Sequence, residues 1–125
     1  KLSALIKIAI LTRASNSKIK YYRERFFQML SSKQRSNLKS IAANLEPVAQ
    51  VGKAGIGENM IKSLSDALEA RELIKVNILT NAEEDAKTTG AQLAEALGAD
   101  CVAVIGRKAI FYRRSSRKNF PHIQF

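Results

Sequence analysis

The sequence predicts an α/β fold with elements in the order α-β-α-β-α-β-β, and three observations support it. Apolar residues recur every three or four positions in three stretches, which is the spacing of an amphipathic helix. Short runs rich in β-branched residues separate these stretches. The last two runs are joined only by a tight turn, Gly106-Arg107-Lys108. Strands that alternate with helices favour parallel pairs, whereas strands joined by a tight turn form an antiparallel hairpin, so both arrangements are expected.

The first helix is predicted over about residues 32 to 45. Either Ser31 or Ser32 can cap its N-terminus, and Pro47 stops it. One apolar stripe runs along it: Leu38, Ile41 and Leu45. Three basic residues fall largely off that stripe: Lys33, Arg35 and Lys39.

A short apolar strand, Val48 to Val51, and a glycine-rich loop, residues 52 to 57, precede the second predicted helix, about Glu58 to Arg71. In the next strand, Ile74, Val76 and Ile78 alternate with Lys75 and Asn77. This alternation predicts a half-buried strand with Lys75 on its polar face.

The third helix is predicted to begin at a capping box, Asn81-Ala82-Glu83-Glu84, and to stop at Gly98. The acidic residues at its start complement the positive end of the helix dipole. A third strand, Cys101 to Ile105, and a fourth, Ala109 to Arg113, complete the order. The basic tail, Arg114 to Phe125, is expected to be mobile.

Positive charge is unevenly spread along the chain, whose net charge is +10. Residues 1–28 hold seven of the 21 basic residues and one of the 11 acidic residues, so residues 29–125 carry only +4. We therefore predict a basic N-terminal extension (1–28), one domain (29–118) and a short tail (119–125). The extension has three interpretations: an appended or upstream-translated segment, an organellar transit-like leader, or a basic RNA-binding arm.

The residue inventory argues against several classes of protein. A single cysteine, Cys101, and a single histidine, His122, provide neither an intramolecular disulfide nor a zinc or Cys/His catalytic site. No phosphate-binding P-loop or nucleophile elbow is present. No apolar run approaches the roughly 18 residues of a membrane helix. We predict neither an enzyme nor a membrane protein, and expect no cofactor, metal or small-molecule substrate.

The loop Gly52-Lys53-Ala54-Gly55 joins a predicted strand to a predicted helix. Glycines there let a phosphate backbone approach the main chain, and the helix start turns unpaired N–H groups toward the same place. Strand-to-helix turns also carry glycine merely for tight geometry, so the motif alone leaves both interpretations open. Six further basic residues are candidates for the same surface: Lys39, Lys62, Lys75, Arg107, Lys108 and Arg113. The other interpretation of these six is solvated surface charge.

Three motifs in one register resemble the CRM (chloroplast RNA splicing and ribosome maturation) domain. The first is Gly52 to Lys62 preceded by Pro47 to Val51, and the second is Ala67 to Val76. The third combines Val104 to Arg107 with Phe111 to Arg113. The opening Leu30-Ser31-Ser32-Lys33-Gln34 is similar to single-domain bacterial YhbY-type members, and the match spans about residues 29 to 118.

The resemblance implies a four-stranded mixed sheet, similar to the C-terminal domain of translation initiation factor 3 and to KH folds. It implies RNA binding through the Gly52 to Gly55 loop and nearby basic surface, and association with ribosomal RNA in large-subunit precursors. A bacterial member is expected in the cytoplasm as a monomer, and an organellar location is expected if residues 1–28 are a leader. Two alternatives stay open: binding of another structured RNA, such as an intron or small RNA, and a protein-interaction module recruited to ribosomes.

Removal of residues 1–28 should leave a folded domain, because the core periodicities all follow Met29. Thermal unfolding of the truncated chain measures this, and a large fall in melting temperature would show that the segment is structural. Because six net positive charges are removed, any loss of RNA affinity should come with a shallower salt dependence.

Overall fold

The computed structural model describes residues 30–125, so the predicted extension, residues 1–28, lies outside the described residues. Within 30–125 the elements follow the predicted order: α1 (Ser32–Ala42), β1 (Ala49–Val51), α2 (Glu58–Arg71), β2 (Leu73–Ile78), α3 (Ala86–Leu97), β3 (Asp100–Ile105) and β4 (Lys108–Tyr112). The predicted α/β class is therefore confirmed.

The four strands form one mixed sheet in the order β1-β2-β4-β3. β1 pairs with β2 in parallel, and β4 pairs antiparallel with both β2 and β3. Asn77 near the end of β2 lies opposite Lys108 at the start of β4. The loops that follow β1 and β2 therefore meet the β3–β4 turn at one edge of the sheet.

One face of the sheet packs against α2 and α3 and forms the main core. β2 contributes Ile74, Val76 and Ile78 to this core, and β4 contributes Phe111. The two helices supply four leucines that are at most 4% exposed: Leu64, Leu68, Leu93 and Leu97. Burial of such side chains, at about 1.5–3 kcal/mol each, is the main favourable contribution to folding.

Helix α1 contacts β2 and β3, and the side chains of β2 and β4 opposite the main core are buried too. These are Leu73, Lys75, Ile110 and Tyr112. The expectation that Lys75 lies on an exposed polar face is wrong, because its residue is only 7% exposed. β2 is covered on both faces, which the alternation of its sequence conceals.

Arg35, expected off the apolar stripe of α1, instead fastens this helix to β3. Its Nη1 donates to the Cys101 carbonyl at 2.8 Å and to the Val102 carbonyl at 3.3 Å. Helix α1 ends at Ala42, three residues earlier than predicted. The Leu45 N–H turns back to the Ala42 carbonyl, which tightens the chain ahead of Pro47.

The N-terminus of α3 differs from the predicted capping box. The helix begins at Ala86, and the Asp85 carboxylate caps it by accepting from the Thr88 N–H at 2.7 Å. Hydrogen bonds from the Thr88 side chain and from its N–H lower the pKa of Asp85. The predicted stop is confirmed, because Gly98 adopts a left-handed conformation (φ 62°) and its N–H returns to the last turn.

The C-terminal tail packs against α2, so the expectation that it is mobile is wrong. Glu72, fully buried, accepts from the Ser115 N–H at 2.7 Å and the Ile123 N–H at 2.8 Å. Its carboxylate also pairs with the His122 imidazole. Glu69 accepts from the Ser116 N–H at 2.9 Å. A buried carboxylate needs hydrogen-bond donors, and the tail backbone supplies them.

Burial by itself raises the pKa of Glu72, but the Ser115, His122 and Ile123 hydrogen bonds outweigh it and lower the pKa overall. A carboxyl whose folded pKa is lowered stabilises the fold above its unfolded pKa. That stabilisation is lost as the pH falls through the lowered folded value. The tail should therefore be held firmly near neutral pH and released under acid conditions.

Glu72→Gln should destabilise the protein by about 1–3 kcal/mol, because one amide oxygen replaces two carboxylate acceptors in a buried site. Hydrogen exchange at Ser115 and Ile123 should accelerate at neutral pH. The difference between variant and parent should begin to shrink below the ordinary glutamate pKa of about 4.5 and should vanish once the pH has fallen through the lowered folded pKa of Glu72. The matched control is Glu95→Gln on the exposed face of α3, which should change neither measurement. Unchanged exchange in Glu72→Gln would contradict this account of the tail.

Candidate nucleic-acid interface

The glycine loop after β1 is a tight turn whose centre is open to solvent. The Gly55 N–H donates to the Gly52 carbonyl at 3.0 Å, and Gly55 has a φ of 74°, which other L-residues rarely adopt. Lys53 and Ala54 at the centre of the turn are exposed. The backbone of this turn is therefore accessible to a large ligand.

Helix α2 begins directly after this loop without a side-chain cap. Its N-cap residue is Gly57, and no side chain hydrogen-bonds the first turn from that position. The first N–H groups of a helix lack intrahelical partners and carry the positive end of the dipole. Glu58 is the acidic residue of the first turn and partly offsets that field. The arrangement suits an anion that approaches from outside.

Two other loops adjoin the glycine turn at the same edge of the sheet. A Cβ built on Gly52 would lie 3.4 Å from Asn81 Oδ1 and from Leu79 Cδ1, which places the β2–α3 loop beside it. The Ile78 N–H donates to the Arg107 carbonyl at 2.7 Å, and Arg107 Nη1 lies 3.4 Å from the Leu79 carbonyl. The glycine turn, the β2–α3 loop and the hairpin turn therefore form one surface, which we call the loop edge.

The loop edge contains polar side chains that the sequence did not single out. A cleft of ≈ 450 Å³ lies there, lined by Asn77, Ile78, Leu79, Thr80, Asn81 and Arg107. The sequence predicts that Asn81 caps a helix, but in the structure its side chain lies beside Gly52. The predicted strand order could have placed Asn81 near the glycine loop, because the ends of two parallel strands meet at one edge of a sheet.

Three of the predicted basic residues lie together elsewhere. Lys39, Lys75 and Lys108 line a second cleft of ≈ 450 Å³ between α1 and the sheet, which we call the lysine groove. Its remaining lining residues are Ser36, Ser40, Ala43, Ile105 and Ile110. Lys62 is exposed in the second turn of α2, on the helix that follows the glycine loop.

Arg113, predicted as a member of the basic surface, is placed away from both clefts and holds the fold together. It follows the end of β4 opposite the loop edge. Its guanidinium donates to the Leu97 carbonyl at 2.8 Å and to the carbonyl and hydroxyl of Ser65 at 2.9 and 3.0 Å. It links the end of α3 to the middle of α2.

Neither aromatic ring of β4 is available for stacking. Phe111 is fully buried and Tyr112 is 8% exposed, and Tyr112 packs edge-to-face against Phe125 of the tail at 4.9 Å. Burial raises the pKa of the Tyr112 hydroxyl. Both rings are therefore part of the core. A base-stacking sheet of the RRM type does not fit this arrangement.

Nothing in the described part of the chain resembles a catalytic or metal centre. Within residues 30–125 no cluster of three His, Cys, Asp or Glu side chains could hold a metal ion. Cys101 is partly buried, which raises the pKa of its thiol and makes it a weak nucleophile at neutral pH. Over the same residues, no helix has the length and apolar character needed to cross a bilayer.

Comparison with known proteins places this geometry in one family. The CRS1/YhbY (CRM) domain model matches residues 30–113. The chain is 45% identical over 87 residues to the probable RNA-binding protein YqeI of Bacillus subtilis, covering 70% of this chain and 91% of YqeI. It is 33% identical over 86 residues to an RNA-binding protein of Haemophilus influenzae, covering 69% and 87%.

A solved structure agrees with the fold. The solution structure of the hypothetical protein SAV1595 from Staphylococcus aureus superposes with a TM-score of 0.62 at 46% identity, covering 73% of this chain and 95% of that protein. The resemblance inferred from the three motifs is thereby confirmed: the chain belongs to the CRS1/YhbY (CRM) domain family.

Proposed function

We propose that this protein binds RNA and that the loop edge contacts the phosphate backbone. The observation that carries the proposal is the exposed Gly52–Gly55 turn, which leads into a helix with no side-chain cap and stands beside Arg107. Relatives named as RNA-binding proteins, at 45% and 33% identity, support the same class of ligand.

The chemistry of the turn explains why a phosphodiester is the suitable anion. A Cβ built on Gly55 would meet nothing within 4 Å, so a bulky backbone can approach the turn there. The helix dipole at an exposed end stabilises a negative charge by about 0.3–1 kcal/mol, which alone is too little for stable binding. Lys53 within the turn and Arg107 beside it supply the additional charge.

The polar side chains of the loop edge suit hydrogen bonding and not stacking. Asn77, Thr80 and Asn81 offer donors and acceptors to ribose hydroxyls or base edges. Both β4 rings are buried, so affinity should come mainly from phosphates and from the shape of the RNA. We expect modest sequence preference.

We further propose ribosomal RNA in large-subunit precursors as the target, with the protein acting as a monomeric assembly factor in the bacterial cytoplasm. The support is the resemblance of the three motifs to YhbY-type members. Another structured RNA is the alternative, and sedimentation distinguishes the two.

Changing Lys53 and Ala54 both to Asp should reduce RNA affinity at least about tenfold, or ~1.4 kcal/mol. The change keeps both glycines and replaces one positive charge with two negative charges where we place the phosphate. Both sites are exposed, so stability should change by no more than ~0.5 kcal/mol. Binding is measured by fluorescence anisotropy at several salt concentrations.

The control for this variant is the same double change at Arg117 and Lys118, which are also exposed and whose loss alters net charge even more. A larger affinity loss in the tail variant at equal salt would mean diffuse electrostatic binding and would refute the loop as the contact. Thermal unfolding of both variants verifies that each is folded.

The protein should migrate with large-subunit precursors in a sucrose gradient at low salt and leave them at high salt, because phosphate contacts weaken as counterions compete. Migration only with messenger RNA, or with no RNA, would refute the assembly role and leave the fold unaffected.

A further inference from the structure

We propose that the lysine groove between α1 and the sheet is a second RNA contact, in which Lys75 binds a phosphate of a strand that also crosses the loop edge. The inference rests on the proposed RNA binding and adds a separate site to it. Its starting point is a lysine that is only 7% exposed as a residue and whose groove has no acidic lining residue in the part of the chain that the structure describes.

Lys75 occupies the centre of the sheet. Its carbonyl accepts from the Val48 N–H at 2.8 Å and its Cα stands opposite Ile110 of β4, so the backbone position is fixed. The residue is only 7% exposed, yet it lines the groove together with Lys39 and Lys108. No buried polar side-chain atom of the described residues lacks a hydrogen-bond partner, so the Lys75 ammonium must reach the open groove.

Among the residues that the structure describes, the charged side chains that line the groove are all positive. Three lysines line it, and none of its eight lining residues is acidic. Neighbouring cations repel one another, and a bound anion would relieve that repulsion. Three lysines that line one groove without an acidic neighbour in its lining therefore point to a bound anion.

The other lining residues indicate what kind of anion fits. Ser36 and Ser40 provide hydroxyl donors, whereas Ile105, Ile110 and Ala43 provide an apolar wall. Ile105 is 54% exposed, although it is a large apolar side chain. A nucleotide unit has both components, a phosphate for the lysines and a sugar and base face for the isoleucines. A free inorganic anion would leave that wall unused.

The groove is also continuous with the loop edge. Lys108 lines the groove and directly follows Arg107, whose guanidinium faces the Leu79 carbonyl at the loop edge. Lys75 and Leu79 lie four residues apart along β2, about 13 Å at ~3.3 Å per residue. One RNA strand can therefore pass the glycine turn, round the hairpin and enter the groove.

The test uses the full chain and a 5′-labelled single-stranded RNA oligonucleotide of mixed sequence. Lys75→Met keeps the apolar stem and removes the charge. Affinity should fall about tenfold, as expected for a lost hydrogen bond between charged groups. The slope of log K against log salt should shrink by about 0.7. The melting temperature should stay the same or rise, because Met keeps the packed stem and removes one of three neighbouring positive charges.

Two further variants separate the site from general effects. Lys39→Met lies on the exposed surface of α1, cannot disturb the core and should lower affinity as well. Lys33→Met changes net charge equally on the same helix but lies outside the groove, and it should bind within about twofold of the parent. Parent-like binding by both groove variants would overturn the proposal. An affinity loss confined to Lys75→Met, with an unchanged salt slope, would assign Lys75 a structural role and also overturn it.

The same titrations distinguish failure of the groove from failure of the loop edge. Loss of affinity in the Lys53/Ala54 double Asp variant, with parent-like groove variants, overturns the groove and leaves the proposed function intact. The reverse result overturns the loop contact and supports the groove. AMP is the remaining probe: if it shifts the NMR signals of Lys75 and Ile110 with the same affinity as the oligonucleotide, the groove is a small-molecule site and the RNA assignment is wrong.

Discussion

Burial of β2 on both faces is the constraint on which the rest of the molecule depends. The strand lies between β1 and β4, with α2 and α3 on one side and α1 on the other. Its odd and even side chains are therefore both removed from water. β2 positions three functional features. Glu72, just before the strand, holds the tail, and Lys75 at its centre faces the lysine groove. The loop from Leu79 to Asn81, which follows the strand, adjoins the glycine turn.

The glycine turn derives its chemistry from the backbone, and this explains why it needs so few side chains. Gly55 supplies a positive φ, Gly57 leaves the helix start uncapped, and Gly52 lies against Asn81 and Leu79. Such a site is rigid before a ligand arrives, because the turn is closed by its own hydrogen bond and followed by a 14-residue helix. Preorganisation of this kind reduces the entropy lost on binding.

Local order along the chain was predictable from sequence, because it depends on short-range periodicity and on turn chemistry. The predicted bounds of α2, Glu58 to Arg71, agree with the structure, and Gly98 stops α3 as expected. The predictions that were wrong concern residues whose positions are set by contacts between residues distant in sequence. The alternating sequence of β2 suggests that Lys75 is exposed, but in the structure α1 covers that face of the strand. The sequence equally allows Arg113 to be a surface charge, but its guanidinium donates to the carbonyls of Ser65 and Leu97, which are 48 and 16 residues away. The prediction of a mobile tail was wrong for the same reason, because the Ser115 N–H donates to the carboxylate of Glu72, which is 43 residues away.

The placement of acidic groups completes the account of the basic surface. Residues 29–125 carry a net charge of only +4, which on an even distribution would give a weak field. The distribution is not even. Glu69 and Glu72 are turned toward the tail, where they accept from Ser115, Ser116 and Ile123, and Asp85 is committed to the cap of α3. Each of these carboxylates has a lowered pKa, which shows that its surroundings favour the charged form.

The hydrogen bonds from the tail to Glu69 and Glu72 therefore have an electrostatic consequence in addition to their effect on stability. It gathers two carboxylates near the C-terminal end of α2, whereas Lys53 and the uncapped helix start lie at the opposite end of the same helix. The tail-facing Glu72 is separated from the start of α2 by the length of 14 residues, about 21 Å at ~1.5 Å per residue, whereas Glu58 stays in the first turn and partly offsets the field there. That distance exceeds the Debye length of about 8 Å at physiological salt, so the tail carboxylates do not cancel the field at the loop edge. Of the carboxylates at the two ends of α2, Glu58 alone therefore weakens the attraction of Lys53 and the helix start for a polyanion, because the fold holds Glu69 and Glu72 at the far end.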